Sequence, residues 1–251
     1  MPWKKLIEFS DLNTESLLAI ITKEAGVNSS LSLITVAKRI LEIPEICCSI
    51  HIGKDDGVEE FITKWATKFI SGYENRPSQR TSNPIGTQHD PILDEIITAR
   101  SPMATEDLEA IRYGHRLSMS AENITGSLLE EYIAKNLLKY DWHCCWGETM
   151  KSIDLCHKNG QLLQIKNSDN SENSSSKTVR DGTKIQHWYR RISRTGETNW
   201  AALNKLAGVS TPKDKLSEDS FIKFVRNAVS KNPGSVFLEE ESPWYGKDKS
   251  K

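Results

Sequence analysis

Residues 152–166 read Ser-Ile-Asp-Leu-Cys-His-Lys-Asn-Gly-Gln-Leu-Leu-Gln-Ile-Lys, and this stretch decides the fold. It contains two short segments of alternating polar and apolar residues, 152–156 and 161–166, separated by Lys158-Asn159-Gly160. This pattern predicts a β-hairpin. Because successive side chains of a strand point to opposite faces, the register of the hairpin determines which polar groups meet.

Two turn lengths fit the sequence. A two-residue loop places Asp154 opposite Ile165, which puts the carboxylate on the apolar face. A three-residue loop, with Gly160 in the left-handed position of a G1 bulge, places Asp154 opposite Gln164. We predict the three-residue loop, because a carboxylate on an apolar face is unfavourable. It gathers Asp154, Gln164 and Lys166 on one face and Ile153, Leu155, Leu163 and Ile165 on the other.

A carboxylate and an amide oxygen beside an ammonium group can hold Mg²⁺ while the lysine positions a water that attacks phosphorus. The helix predicted over residues 123–140 offers a second acid. Its apolar stripe comprises Leu128, Leu129, Tyr132, Ile133 and Leu137. Glu130 lies at the margin of this stripe and is expected to be half-buried, whereas Glu131 lies opposite its centre and is expected to be solvated.

Upstream, apolar periodicity predicts three helices. The first is capped by Asn13 or Thr14 and ends at Gly26, the second covers 33–43 before Pro44, and the third runs from Val58 to Gly72. A polar, proline-containing stretch then predicts a linker. We expect an N-terminal helical region over 1–75, a linker or long loop over 76–91 and a catalytic domain over 92–251.

In the last part of the chain, short helices are predicted over 92–99 and 105–113 before the longer helix at 123–140. After the hairpin, Ser217 caps a predicted helix and Asn232-Pro233-Gly234 leads into a predicted strand, 235–238. Helix, hairpin, helix and strand in this order indicate an α/β layer.

The charges are unevenly distributed. The net charge of the 251 residues is −1, yet residues 177–215 carry nine Lys and Arg against three Asp and Glu, so this segment is basic and the rest is acidic. DNA phosphates attract such a surface, and arginine can bind the edge of guanine. Four aromatic side chains interleave with the cations, and both core packing and DNA contact remain open for them: His187, Trp188, Tyr189 and Trp200.

Other classes are excluded or left as alternatives. The longest apolar run, residues 17–21, is too short for a transmembrane helix, and no apolar segment follows Lys4-Lys5 as in a signal peptide. We therefore expect a cytoplasmic protein. The cysteine spacing predicts reduced thiols. The alternative is a zinc site built from His143, Cys144, Cys145, Cys156 and His157.

The arrangement of Glu130 four residues after Gly126, Asp154 in a strand and Gln164-Ile165-Lys166 closing a hairpin resembles the core of PD-(D/E)XK nucleases, in the Gln-x-Lys variant of Mrr-type enzymes. Residues 121–132, 164–176 and 179–183 resemble SinI-type type II restriction endonucleases. So do Trp188 with Arg190 and Arg191, and Asn199-Trp200. The resemblance covers roughly residues 100–240.

This resemblance implies an α/β fold with a central mixed sheet flanked by helices. It also implies a Mg²⁺-dependent type II restriction endonuclease that cuts double-stranded DNA at a short GG(N)CC-like site, in a prokaryotic cytoplasm, beside a cognate DNA methyltransferase. Because palindromic sites mirror protein two-fold symmetry, we expect a homodimer. The alternatives are a modification-dependent or structure-selective nuclease of the same fold, a non-catalytic DNA-binding module, and a helical scaffold.

The implied site residues form three sets. Catalytic residues are Asp154, Gln164, Lys166 and Glu130. The metal is held by Asp154, Gln164, Glu130 and the carbonyl of Ile165. The expected DNA-binding residues lie in the segment 167–215 and are Asn167, Ser174, Lys177, Arg180, Lys184, Arg190, Arg191 and Arg194.

Overall fold

A computed structural model describes residues 13–51, 53, 57–84, 86, 89–171 and 185–246. Seven α-helices occur within these ranges: α1 Thr14–Ala25, α2 Leu31–Glu42, α3 Val58–Glu74, α4 Ile92–Arg100, α5 Thr105–Leu137, α6 Trp200–Leu206 and α7 Glu218–Lys231. The strands of the same ranges are β1 Trp142–Cys144, β2 Leu155–His157, β3 Leu162–Ser168 and β4 Ile185–Arg191. Short 3₁₀ turns join several of them.

The three predicted N-terminal helices are confirmed. The third helix differs from the prediction at its C-terminal end. Asn13 caps α1 by accepting a hydrogen bond from the Ser16 N–H at 2.8 Å, and Gly26, at φ +51°, ends it. α2 stops before Pro44, as predicted. α3 runs through Gly72 to Glu74, and a Cβ at position 72 would lie 2.2 Å from the backbone nitrogen of Gly147. This glycine permits close packing and does not end the helix.

Two predictions about the later elements are wrong. The helices predicted over 105–113 and 123–140 are one helix, α5, because the polar residues between them include no proline that would break it. The strand predicted over 235–238 is not formed, since the Phe237 N–H donates to the Ser120 hydroxyl at 2.8 Å. A side chain takes the hydrogen bond that a neighbouring strand would have taken.

The sheet formed by the described residues has four strands in the order β1-β2-β3-β4. β1 and β2 pair antiparallel, as do β2 and β3, whereas β3 and β4 are parallel. The expected α/β class with a mixed sheet and N-terminal helices is therefore confirmed.

Each face of this sheet is covered by apolar side chains. On one face, α1–α3 contribute Leu33, Phe61 and Trp65 to a core that also contains Cys156 and Leu162. On the other face the ring of Trp188 lies 5.1 Å from that of Trp200, which contacts Tyr132 and Phe221. A strand between two cores has few solvated positions, so its polar side chains need specific partners.

The described residues fall into two compact units. One comprises those up to Arg76 together with Leu129–Phe224, and it contains the whole sheet. The other comprises Pro77–Leu128 and the residues from Val225 onwards. Within it, Asp94 binds both Arg112 and His89. None of the described helices is long and apolar enough to cross a bilayer.

Candidate active site

The hairpin has the predicted register. Leu155 pairs with Leu163, and the His157 N–H donates to the Gln161 carbonyl at 2.8 Å. Gly160, at φ +101°, ends a three-residue loop. A two-residue loop would instead have paired Leu155 with Gln164. The three-residue loop is therefore confirmed, and the pairing of Asp154 with Ile165 does not occur.

Asp154 stands where the ladder between β2 and β3 opens. Its N–H donates to the Leu163 carbonyl at 3.0 Å, although Leu163 already pairs with Leu155. This extra residue breaks the alternation of side chains, as in a bulge. Ile153 consequently packs in the same core as Cys156, so the predicted common face of Ile153 and Leu155 is wrong.

The side-chain carboxylate of Asp154 accepts the hydrogen bond that the Ile165 N–H would otherwise donate to a strand backbone. Its Oδ2 accepts a hydrogen bond of 2.6 Å from the Ile165 N–H, while Oδ1 receives no hydrogen bond from any described residue. Burial raises the pKa of Asp154 to about 6, against the opposing effects of that N–H and of the Lys166 charge, and the charge of Glu148 raises this pKa further. The site thus contains a half-buried carboxylate whose charge is only partly compensated.

Gln164 and Lys166 share one face of β3, since they are two residues apart. Gln164 is almost fully buried, at 4% exposure, and Lys166 is half-buried. The ammonium of Lys166 lies near enough to Asp154 to lower its pKa. Lys166 and the Asp154 carboxylate are therefore neighbours, and Gln164 lies on the same face of β3 as Lys166.

The two glutamates of α5 are placed differently from each other. Glu130 is half-buried, as expected. Glu131 is 5% exposed and pairs with Arg76 at 3.4 Å, so the prediction of a solvated side chain is wrong. A helical wheel contains no information on such a partner from elsewhere in the chain. The charges of Glu130 and Asp154 both raise the pKa of the buried Cys144 thiol, after the larger effect of its burial, which places both acids around β1.

The donor set fits a hard divalent cation. It comprises the carboxylates of Asp154 and Glu130, the amide oxygen of Gln164 and the carbonyl of Ile165, all oxygens of the kind that Mg²⁺ and Ca²⁺ prefer. The oxygen Oδ1 of Asp154 is available to such an ion. In the part of the chain that the structure describes, no three His, Cys, Asp or Glu side chains are grouped as a metal site. A cation here would therefore depend on the amide and carbonyl oxygens as well.

The same observation excludes the zinc alternative, since His143, Cys144, Cys145, Cys156 and His157 are all described and form no such group. All five cysteines of the chain are free and buried, as the prediction of reduced thiols requires.

Arg190 is directed into the protein, which does not fit the expected phosphate contact. It is 8% exposed, its Nε donates to Asn167 Oδ1 at 2.8 Å, and its Nη1 pairs with Glu218. Glu218 also accepts a hydrogen bond of 2.8 Å from the Trp200 indole. Arg190 and Asn167 therefore belong to a hydrogen-bonded network around the buried guanidinium, adjacent in the chain to Lys166.

Arg191 and Arg194 are exposed, as a DNA contact requires. They belong to a tight turn, residues 191–198, in which the Gly196 N–H donates to the Ile192 carbonyl at 2.8 Å. The Ser193 N–H donates to Asp169 Oδ1 at 2.8 Å, which ties this turn to the end of β3. The other four expected DNA-binding residues lie outside the described residues: Ser174, Lys177, Arg180 and Lys184.

The sequence did not reveal three features of the site. Glu148, at φ +53°, lies close enough to Asp154 to affect its pKa. Glu218 holds Arg190. His187 and Tyr189 lie beside Gln164 and Lys166 in the parallel pairing of β3 and β4. The aromatic, β-branched composition of residues 185–192 favours a strand and was the available signal.

The chain is similar to one protein family and to two type II restriction enzymes. Residues 19–231 match the family described as SinI restriction endonuclease. The chain is 38% identical over 202 residues to the type II restriction enzyme Eco47I of Escherichia coli, which covers 77% of this chain and 84% of that protein. It is 35% identical over 203 residues, with the same coverage, to the type II restriction enzyme SinI of Salmonella infantis.

Proposed function

Since the chain belongs to the SinI restriction endonuclease family and is a type II restriction endonuclease, a site-specific deoxyribonuclease, we propose that the end of the sheet around Asp154 is its active site. The substrate is double-stranded DNA at a short GG(N)CC-like sequence. The site uses Mg²⁺ as its divalent ion.

The oxygens of Asp154, Gln164 and Ile165 hold the metal. The N–H and C=O of one strand residue point to the same side, so the Ile165 carbonyl faces the side on which its N–H meets Asp154. Glu130 completes the set directly or through a water. When bound, Mg²⁺ neutralises charge on the phosphate and favours deprotonation of water.

Lys166 orients the attacking water. The water oxygen forms a bond to phosphorus while one bridging P–O ester bond breaks. The leaving oxygen takes up a proton, and the proton lost by the water passes to solvent. The ammonium of Lys166 also offsets negative charge on the phosphate as the bond forms.

The observation that supports this proposal best is the Asp154 carboxylate. It is half-buried, its pKa is raised to about 6, and Oδ1 has no partner among the described residues. A divalent cation beside this carboxylate favours its charged form, and Lys166 supplies only part of that compensation.

DNA is bound by Arg191 and Arg194 of the exposed turn, and by Ser174, Lys177, Arg180 and Lys184. A homodimer brings one active site to each strand of a palindromic duplex. A cognate DNA methyltransferase protects the host sequence in the bacterial cytoplasm, as a functional and not a physical partner.

The first test of this function is digestion of unmethylated plasmid and phage DNA with Mg²⁺ and with EDTA. We expect discrete fragments with Mg²⁺ alone, and sequencing their ends gives the recognition site. Cleavage in EDTA would contradict the metal requirement. Cleavage of only methylated or branched DNA would point to the modification-dependent or structure-selective alternative.

The test of the site is Lys166→Ala. We expect a loss of roughly 10²–10⁴-fold in the single-turnover cleavage rate, because the water loses its positioning group, with DNA affinity little changed. The matched control is Lys158→Ala in the hairpin loop, whose side chain is 62% exposed and pairs with Asp141. Wild-type cleavage by Lys166→Ala would refute the assignment, and so would an equal loss in Lys158→Ala.

A further inference from the structure

Two aromatic side chains of β4 lie on the same face as the proposed active site. In the parallel pairing, His187 is the partner of Gln164, and Tyr189 is the partner of Lys166. Paired residues on neighbouring strands point to the same face and lie about 4.8 Å apart in the direction of the hydrogen bonds. His187 and Tyr189 therefore extend the row of polar groups by one strand.

Their exposure separates them from ordinary core aromatics. His187 is exposed and Tyr189 is half-buried, whereas Trp188 between them is 2% exposed. The rings of His187 and Tyr189 lie 6.2 Å apart at 82°, edge to face. Core packing accounts for Trp188, but it does not account for an exposed imidazole beside a buried glutamine.

We propose that His187 is a substrate-contacting residue whose ring N–H donates a hydrogen bond to the scissile phosphate. This inference rests on the proposed function of Gln164 and Lys166. A phosphate held beside Gln164 lies next to His187, because the two residues are paired. A neutral imidazole carries one N–H donor, and a donor aimed at a phosphate gains strength as negative charge develops in the transition state.

The adjacent residue provides a matched control. Gln186 is also exposed, but it points to the opposite face of β4, so it shares the strand and lacks the contact. The variants to compare are His187→Ala, His187→Gln, Gln186→Ala and Lys166→Ala. For each, single-turnover cleavage of a cognate duplex is measured with Mg²⁺ and duplex affinity is measured in EDTA.

We expect His187→Ala to slow cleavage roughly 10²-fold, the usual effect of losing one transition-state hydrogen bond, with affinity changed less than about threefold. His187→Gln keeps an N–H donor and is expected to cut at least about fivefold faster than His187→Ala. Gln186→Ala is expected to match the wild type. A structural role for His187 predicts no such recovery by glutamine.

Wild-type cleavage by His187→Ala, with Lys166→Ala inactive, would overturn this inference and leave the proposed active site standing. So would an equal loss in His187→Ala and His187→Gln, or a loss in Gln186→Ala as large as that in His187→Ala. If Lys166→Ala also cleaves normally, the proposed active site itself fails. Thermal unfolding of each variant separates a lost contact from a lost fold.

Discussion

The two faces of β4 carry similar residues that differ in their exposure to solvent. On one face, His187 and Arg191 are exposed beside the proposed active site. On the other face, Trp188 and Arg190 are buried, and Arg190 is held by Glu218. Adjacent arginines therefore differ completely: one is a structural ion pair and the other is open to solvent.

This difference shows that a basic segment does not reveal which of its cations can meet DNA. Net charge is a sum over the segment, whereas contact depends on the alternation of side chains along the strand. Odd-numbered positions of β4 from His187 onwards face the site, and even-numbered positions from Trp188 onwards face the aromatic core. Substitutions on the two faces should therefore affect different properties, stability on one and DNA cleavage or binding on the other.

The largest effect is expected at the buried arginine. Arg190→Ala leaves the carboxylate of Glu218 without its cation, and we expect it to lower the free energy of unfolding by about 2–4 kcal/mol. Arg191→Ala removes the same charge from the exposed face and should change stability by less than about 0.5 kcal/mol. Urea unfolding followed by tryptophan fluorescence measures both. Equal effects would abolish the distinction between the faces.

The half-buried acid of the site is expected to affect both stability and cleavage. The pKa of folded Asp154, about 6, lies above the ordinary value of 3.8, so the native state holds this proton more tightly than the unfolded chain. The stability it contributes is complete below about pH 4 and is lost as the pH rises through 6. The amide of Asp154→Asn does not titrate, so its stability does not fall over this pH range. It also keeps an acceptor for the Ile165 N–H.

We therefore expect Asp154→Asn to be inactive yet more stable than the wild type by about 1–3 kcal/mol at pH 7.5 in EDTA. The difference should vanish near pH 4. Added Mg²⁺ should stabilise the wild type and leave the variant unchanged, because the ion binds the native carboxylate. Unfolding curves at several pH values check this. A variant less stable than the wild type at pH 7.5 would show that the carboxylate is not under electrostatic strain.

Local chemistry made part of the site predictable from sequence. The hairpin register followed from one glycine and the unfavourable placement of Asp154 on an apolar face, and the structure has that register. The N-terminal helices followed from their caps and from Pro44. In each case the deciding residues lie within a few positions of the element that they control.

The features that the sequence did not predict depend on residues distant from one another in the chain. Glu131 is buried and pairs with Arg76, and Gly72 lies inside a helix at a close approach to Gly147. The parallel register that brings His187 beside Gln164 joins strands separated by a long connection. No periodic pattern within one segment contains this information, because parallel pairing is set by tertiary packing.

The smallest effects are expected on the exposed face. Arg191→Ala and Arg194→Ala should each weaken DNA binding by about five- to tenfold at low salt and lower the slope of log affinity against log salt by about 1, since each removes one phosphate contact. Cleavage at saturating enzyme should stay close to wild type, because both residues act on affinity and not on the reacting phosphate. Fluorescence anisotropy over a salt series gives both quantities. An unchanged salt slope in either variant would mean that its cation, although exposed, does not meet a phosphate, and the exposed face of β4 would then act through His187 alone.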